Sequence, residues 1–107
     1  MTKRWLTQGR AKVSHITLHR KRLTGRINRL IGQLEGIRRM VAEAPEGDDV
    51  VCYAVMQQLA AARGAMNGLM TQLVEEHLDH HVVDEERPAK RRQGAEELVK
   101  VLRSFRK

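Results

Sequence analysis

Apolar residues recur at steps of three and four from Leu23 through Ile27, Leu30, Ile31, Leu34 and Ile37 to Val41. That spacing puts one continuous stripe along a helix and predicts a first helix from near Thr17 to about Ala44. Pro45, Gly47, Asp48 and Asp49 interrupt the pattern with turn chemistry, and either aspartate suits the N-cap of the next helix. From Val50 the same phase continues through Val55, Leu59, Ala62, Met66, Leu69 and Leu73, with Glu76 or His77 next, predicting a long second helix to about His81. Gly64 and the Asn67-Gly68 pair offer a hairpin turn inside it, but the apolar phase runs unbroken across both and favours one helix. Asp84 to Gly94 reads as a charged connector containing Pro88. Leu98, Val101, Leu102 and Phe105 then mark a short third helix, Ala95 to Phe105.

Residues 1–13 are polar, basic and unpatterned, and with Ser14 they read as a mobile basic arm, 1–14, ahead of one domain over 15–107. A chain of 107 residues has room for no second domain, and no internal repeat is visible. Aromatic residues at 3% and only two prolines, against abundant Ala, Leu, Arg, Glu, Gln and Met, disfavour a β architecture, so the fold class is all-α. Two long amphipathic rods and a short one cannot cover one another's apolar faces, so the chain should oligomerise.

The formal charge of +7 points to an anionic partner, nucleic acid first. Its distribution says more. Residues 1–45 carry +9, residues 46–87 carry −7 and residues 88–107 carry +5, which assigns DNA contact mainly to the first third. Cys52 is the single cysteine, so no intrachain disulfide forms, and a lone thiol fits a reducing, cytoplasmic setting. The first residues lack the apolar core of a signal peptide, and nowhere does the sequence approach the roughly 18 consecutive apolar residues of a membrane span. No nucleophile, base and oxyanion set can be assembled from these residues, so an enzyme is not expected.

Cys52, His77 and His81 all fall on the second helix. His77 and His81 are four apart, one turn on one face, which lets two imidazoles share a metal ion. Cys52 stands 25 residues earlier, about 37 Å away at the α-helical rise, far outside a coordination sphere of about 2 Å radius. If two copies pack these helices antiparallel, Cys52 of one chain meets His77 and His81 of the other. Against this, a lone helical cysteine is usually a core residue and HLDHH can be a solvated helix end, where imidazoles favour the negative dipole. The arrangement is not H-E-x-x-H, so a zinc peptidase lacks its general base.

On the first helix Arg22, Arg26, Arg29 and Gln33 succeed one another at steps of four, three and four, and Arg63 stands alone in a neutral stretch of the second. Such a stripe either contacts DNA phosphates and base edges or is a solvated face. No aromatic residue lies within it, which disfavours base stacking on single strands and leaves duplex DNA.

RINRLIGQLEGIRRM (26–40), Cys52, QQLAAARGAMNGLM (57–70) and HLDHH (77–81) together resemble the CsoR/RcnR family of metal-responsive transcriptional repressors over about residues 15–107. The resemblance implies a three-helix protomer, an antiparallel dimer, a disc-shaped homotetramer built from two dimers, and binding of operator DNA without the usual motifs. It also implies metal sites made from Cys52 of one subunit with His77 and His81 of its partner. Copper(I) sensors of the family carry Cys where this chain has His81, and persulfide sensors need a second cysteine. Nickel and cobalt sensors are similar to this chain, with a histidine ahead of the first helix, here His15. One thiolate with three imidazoles suits borderline Ni(II) or Co(II) better than Zn(II) or Cu(I). Formaldehyde-responsive relatives share Cys52 and His77 but typically not His81, and are the alternative within the family. Outside it stand a metal-storage or delivery protein and a DNA-packaging protein. The connector before Cys52 is about five residues longer than in close nickel and cobalt relatives, and the N-terminal arm removes the chain's amine from His15. His19 and His80 are candidate substitutes, against which the reading of each as a surface side chain is favoured.

Overall fold

The computed structural model describes residues 14–47 and 49–106. Four α-helices and one π-helical turn account for it: α1 (His15–Leu18), α2 (Arg20–Ala42), α3 (Asp49–Leu78), the π turn (Asp79–Val83) and α4 (Pro88–Arg106). The chain is all-helical among the described residues, with one short helix more than the three expected. The arm read at 1–14 lies, up to residue 13, outside them.

The expected first helix is divided. Ser14 caps α1, its hydroxyl accepting from the Ile16 amide at 3.1 Å, and His19, at φ −108° and ψ 22°, breaks the helix before α2 begins. The α2–α3 connection holds Gly47 at φ +79°, a left-handed conformation that a side chain would resist. Of the two candidate caps for α3, Asp48 lies outside the described residues and Asp49 sits in the first turn, where its charge suits the helix dipole. The helix then runs through Gly64 and Asn67-Gly68 without a turn.

Two compact units divide the chain. In the unit Arg22–Leu73, Leu23, Ile37 and Ala62 are buried. Ile27, Ile31, Leu34, Leu59 and Met66, on the stripes that predict the helices, remain more than two-fifths exposed. Within this unit the half-buried Arg26 joins α2 to α3 by donating to Oε1 of Gln72, and its guanidinium lies over Gly68.

The second unit gathers residues 14–21 with residues 74–106. The Asp84 amide closes the π turn on the Asp79 carbonyl at 2.9 Å, the i to i+5 bond that adds a residue to the turn. After it α4 starts at Pro88, not at Ala95 as the apolar pattern predicts. Proline suits a first helical position, and the carboxylate of buried Glu85 accepts from the Arg87 amide (3.2 Å) and Nε (3.0 Å) just ahead of it. Lys90, Arg91 and Arg92 in its first turns are exposed, so this stretch shows no apolar period although it is helical. α4 packs on the π turn at Gly94: a Cβ there would lie 2.3 Å from the carbonyl oxygen of His81. The expected connector is therefore confined to residues 84–87.

Candidate metal centre

α1, the end of α3 and the π turn bring imidazoles together in the second unit. One ligand atom each from His15, His77 and His81 lie within 4.8 Å of one another. The ring centroids are 4.6 Å apart for His77 and His81, 5.2 Å for His15 and His81, and 6.2 Å for His15 and His77. His80 stacks on His15 at 5.6 Å and 19°. His15 is buried.

One hydrogen bond and several looser contacts to carboxylates surround the rings. Nε2 of His77 lies 3.0 Å from the Gly94 carbonyl oxygen. A carbonyl only accepts, so Nε2 carries the hydrogen and Nδ1 keeps the lone pair. Oε1 of Glu97 stands 3.7 Å from the same nitrogen. Nδ1 of His15 is 3.4 Å from Oε1 of the buried Glu76, whose Oε2 is 3.7 Å from Nε2 of His19. Removal from water holds the pKa of His81 below the usual imidazole value, and repulsion from His77, His15 and His80 adds to this against a weaker opposing pull from Glu97. A ring that resists protonation offers the lone pair a metal needs.

Three of the four predicted ligands are thus in one place. Cys52 is exposed, belongs to the unit Arg22–Leu73, and is not part of the cluster. Three neighbouring imidazoles, one of them favouring its neutral form, fit a borderline first-row divalent ion and leave room for a donor from elsewhere. His19 stands beside Glu76 and His80 beside His15, but neither belongs to the three-ring group.

The predicted DNA-contacting residues lie on α2 and α3 of the other unit. Arg22, Arg29 and Arg63 are exposed. Arg26 is committed to Gln72, and Gln33 is half-buried with its Oε1 out of solvent and without a hydrogen-bond partner among the described residues.

Gly94, Glu76 and Glu97 escape the sequence reading as site residues. Gly94 falls in a stretch that reads as a connector, so its close approach to His81 has no visible cause in the sequence. The i to i+4 pair His15 and His19 is a signal that one group can face both rings, but a carboxylate on a distant helix end is not readable from it.

These features define an all-helical protein with a histidine centre suited to a transition-metal ion. A family model described as metal-sensitive transcriptional repressor matches residues 19–104. An "Uncharacterized protein in bioA 5′ region" of Serratia marcescens is 41% identical over 96 residues, covering 89% of this chain and all of that one. "Transcriptional repressor RcnR" of Citrobacter koseri is 37% identical over 93 residues, 87% of this chain and 98% of the relative, and that of Salmonella typhimurium is 36% identical with the same coverage. No solved structure gave a significant match. The chain belongs to the metal-sensitive transcriptional repressors, the CsoR/RcnR family. That family is regulatory, not enzymatic. No described helix is long and apolar enough to cross a membrane.

Proposed function

We propose that the protein is a cytoplasmic repressor that holds duplex operator DNA in its metal-free form and releases it on binding Ni(II) or Co(II), derepressing a metal-efflux gene. The observation that carries the reading is the convergence of His15, His77 and His81, with the neutral form of His81 favoured. A bound ion would supply a centre of positive charge that ties together residues from separate helices. Cys52 of a second subunit is assigned as the fourth ligand, which suits its exposure and its distance along α3 from His77. The formaldehyde-responsive alternative is less well supported, because His81 stands within the imidazole group.

Assembly follows from the apolar side chains that a protomer leaves in water. Exposed Ile27, Ile31, Leu34, Leu59 and Met66 form the kind of surface that a soluble monomer rarely presents. Pairing of protomers and of dimers into a homotetramer would cover it and bring Cys52 to the imidazoles of a partner.

Arg22, Arg29 and Arg63 are assigned to DNA, with Arg26 and Gln33 setting the geometry of the same face. Closure of His15, on α1, onto His77 and His81 links the ligands to the start of α2, which begins five residues after His15 and carries Arg22, Arg26 and Arg29. Moving operator occupancy from 99:1 to 1:99 requires a preference of about 5.5 kcal/mol for the released state. Cys52→Ala should leave operator affinity of the metal-free protein unchanged and abolish release by Ni(II) in an anisotropy assay. Loss of operator binding by the metal-free variant would contradict this division of labour.

A further inference from the structure

Glu76 is an acidic residue with nine-tenths of its surface covered, one position before a candidate metal ligand. Burial of a carboxylate is costly unless it meets a charge or a donor. Its two oxygens face two histidines from the other end of the chain: Oε1 stands 3.4 Å from Nδ1 of His15, a buried nitrogen whose contact with it falls outside hydrogen-bond geometry, and Oε2 stands 3.7 Å from Nε2 of His19. His15 and His19 are one helical turn apart, at the two ends of α1, so a single carboxylate from α3 receives both ends of that short helix. Four residues of α-helix are too short to be stable alone. Something in the fold has to hold α1 in place, and Glu76 meets it at the residue that also belongs to the imidazole group.

We propose that Glu76 is a positioning residue: it anchors α1 through His15 and His19 and fixes the proton of His15 on Nδ1, so that Nε2 carries the lone pair. The inference rests on the reading of the imidazole group as a metal site. A carboxylate on one edge of an imidazole sets its tautomer and orientation and raises the basicity of the other edge, and losing such a partner typically weakens metal binding by about 10- to 100-fold. Glu76 is not itself a ligand. Its effect passes through His15.

The test has one arm without metal and one with it. In the metal-free protein, side-chain nitrogen NMR of His15 should show the Nδ1–H form, and Glu76→Ala should return the ring to the Nε2–H form that free histidine prefers, with the circular dichroism of the long helices retained. Nickel(II) affinity is then measured by chelator competition for the wild type, His15→Ala, Glu76→Ala and the double variant. Glu76→Ala should weaken binding by about 10- to 100-fold, His15→Ala should weaken it at least as much, and the double variant should bind like His15→Ala alone. An unchanged His15 tautomer in Glu76→Ala overturns the proposal whether or not nickel binds. So does a double variant in which the two losses multiply, because Glu76 would then act independently of His15. A wild type that binds no nickel would remove the metal-site reading and leave the tautomer result to decide the role of Glu76.

Discussion

Replacing Gly94 by alanine tests how α4 holds the imidazole group. The added Cβ would lie 2.3 Å from the carbonyl oxygen of His81 and 3.0 Å from its carbonyl carbon and Cβ, whereas ordinary contact begins at 3.4 Å. The two backbones must therefore part by about 1.1 Å. Overpacking of this kind costs about 1–3 kcal/mol. The better helix propensity of alanine returns about 1 kcal/mol, so the net loss of stability is roughly 0–2 kcal/mol. Binding should suffer more than stability, because the same displacement moves His81 and withdraws the Gly94 carbonyl from Nε2 of His77. A site about 1 Å too loose fails to hold its ligand, and we expect Ni(II) affinity to fall on the order of tenfold or more. Gly25→Ala is the control: it meets nothing within 4 Å in the protomer and should raise stability by about 0.5–1 kcal/mol. Both variants are melted at fixed protomer concentration and titrated with nickel against a chelator. A Gly94→Ala protein that melts as high as Gly25→Ala and binds nickel like the wild type would show that α4 does not hold the imidazole group through Gly94.

Two further outcomes concern the charged groups. The folded pKa of His81 lies below its ordinary value of 6.5, so between the two values the folded protein binds fewer protons than the unfolded chain. Its contribution to stability is full above pH 6.5 and is lost as pH falls through the depressed value. Denaturant unfolding of the metal-free protein should show this fall, and His81→Gln should flatten that part of the profile. If His81→Gln leaves the profile untouched, burial of the ring is not felt. The arginines separate by partner: Arg29→Ala should weaken operator binding and reduce the salt slope by about 0.9 for each phosphate contact removed, with stability unchanged. Arg26→Ala should lower stability as well, because it also loses Gln72, and equal melting of the two variants would argue against that added role.

The helices are legible in the sequence where burial has a period. α3 reads as one helix across Gly64 and Gly68 because its apolar phase never breaks, and the structure keeps it whole. α4 is legible only from Ala95, since Lys90, Arg91 and Arg92 face solvent and its true start depends on Pro88 and Glu85. The division between α1 and α2 is hidden for a related reason: Ser14 and His19 act through local backbone geometry, which leaves no hydrophobic signature. At the candidate site, His77 and His81 can be paired from their spacing alone. The place of His15 comes from the family resemblance, and the contacts of Glu76 and Gly94 depend on how distant segments pack, which no short-range pattern encodes.

Metal occupancy is proposed to control operator binding. The direct measurement is an anisotropy titration of the reduced, metal-free protein bound to a labelled duplex of its own upstream region, using Ni(II), Co(II), Zn(II), Cu(I) and formaldehyde in turn. The expected result is specific binding that Ni(II) or Co(II) abolishes at stoichiometric metal, more effectively than the other effectors. Binding released only by formaldehyde, binding indifferent to every effector, or no specific binding at all would contradict it.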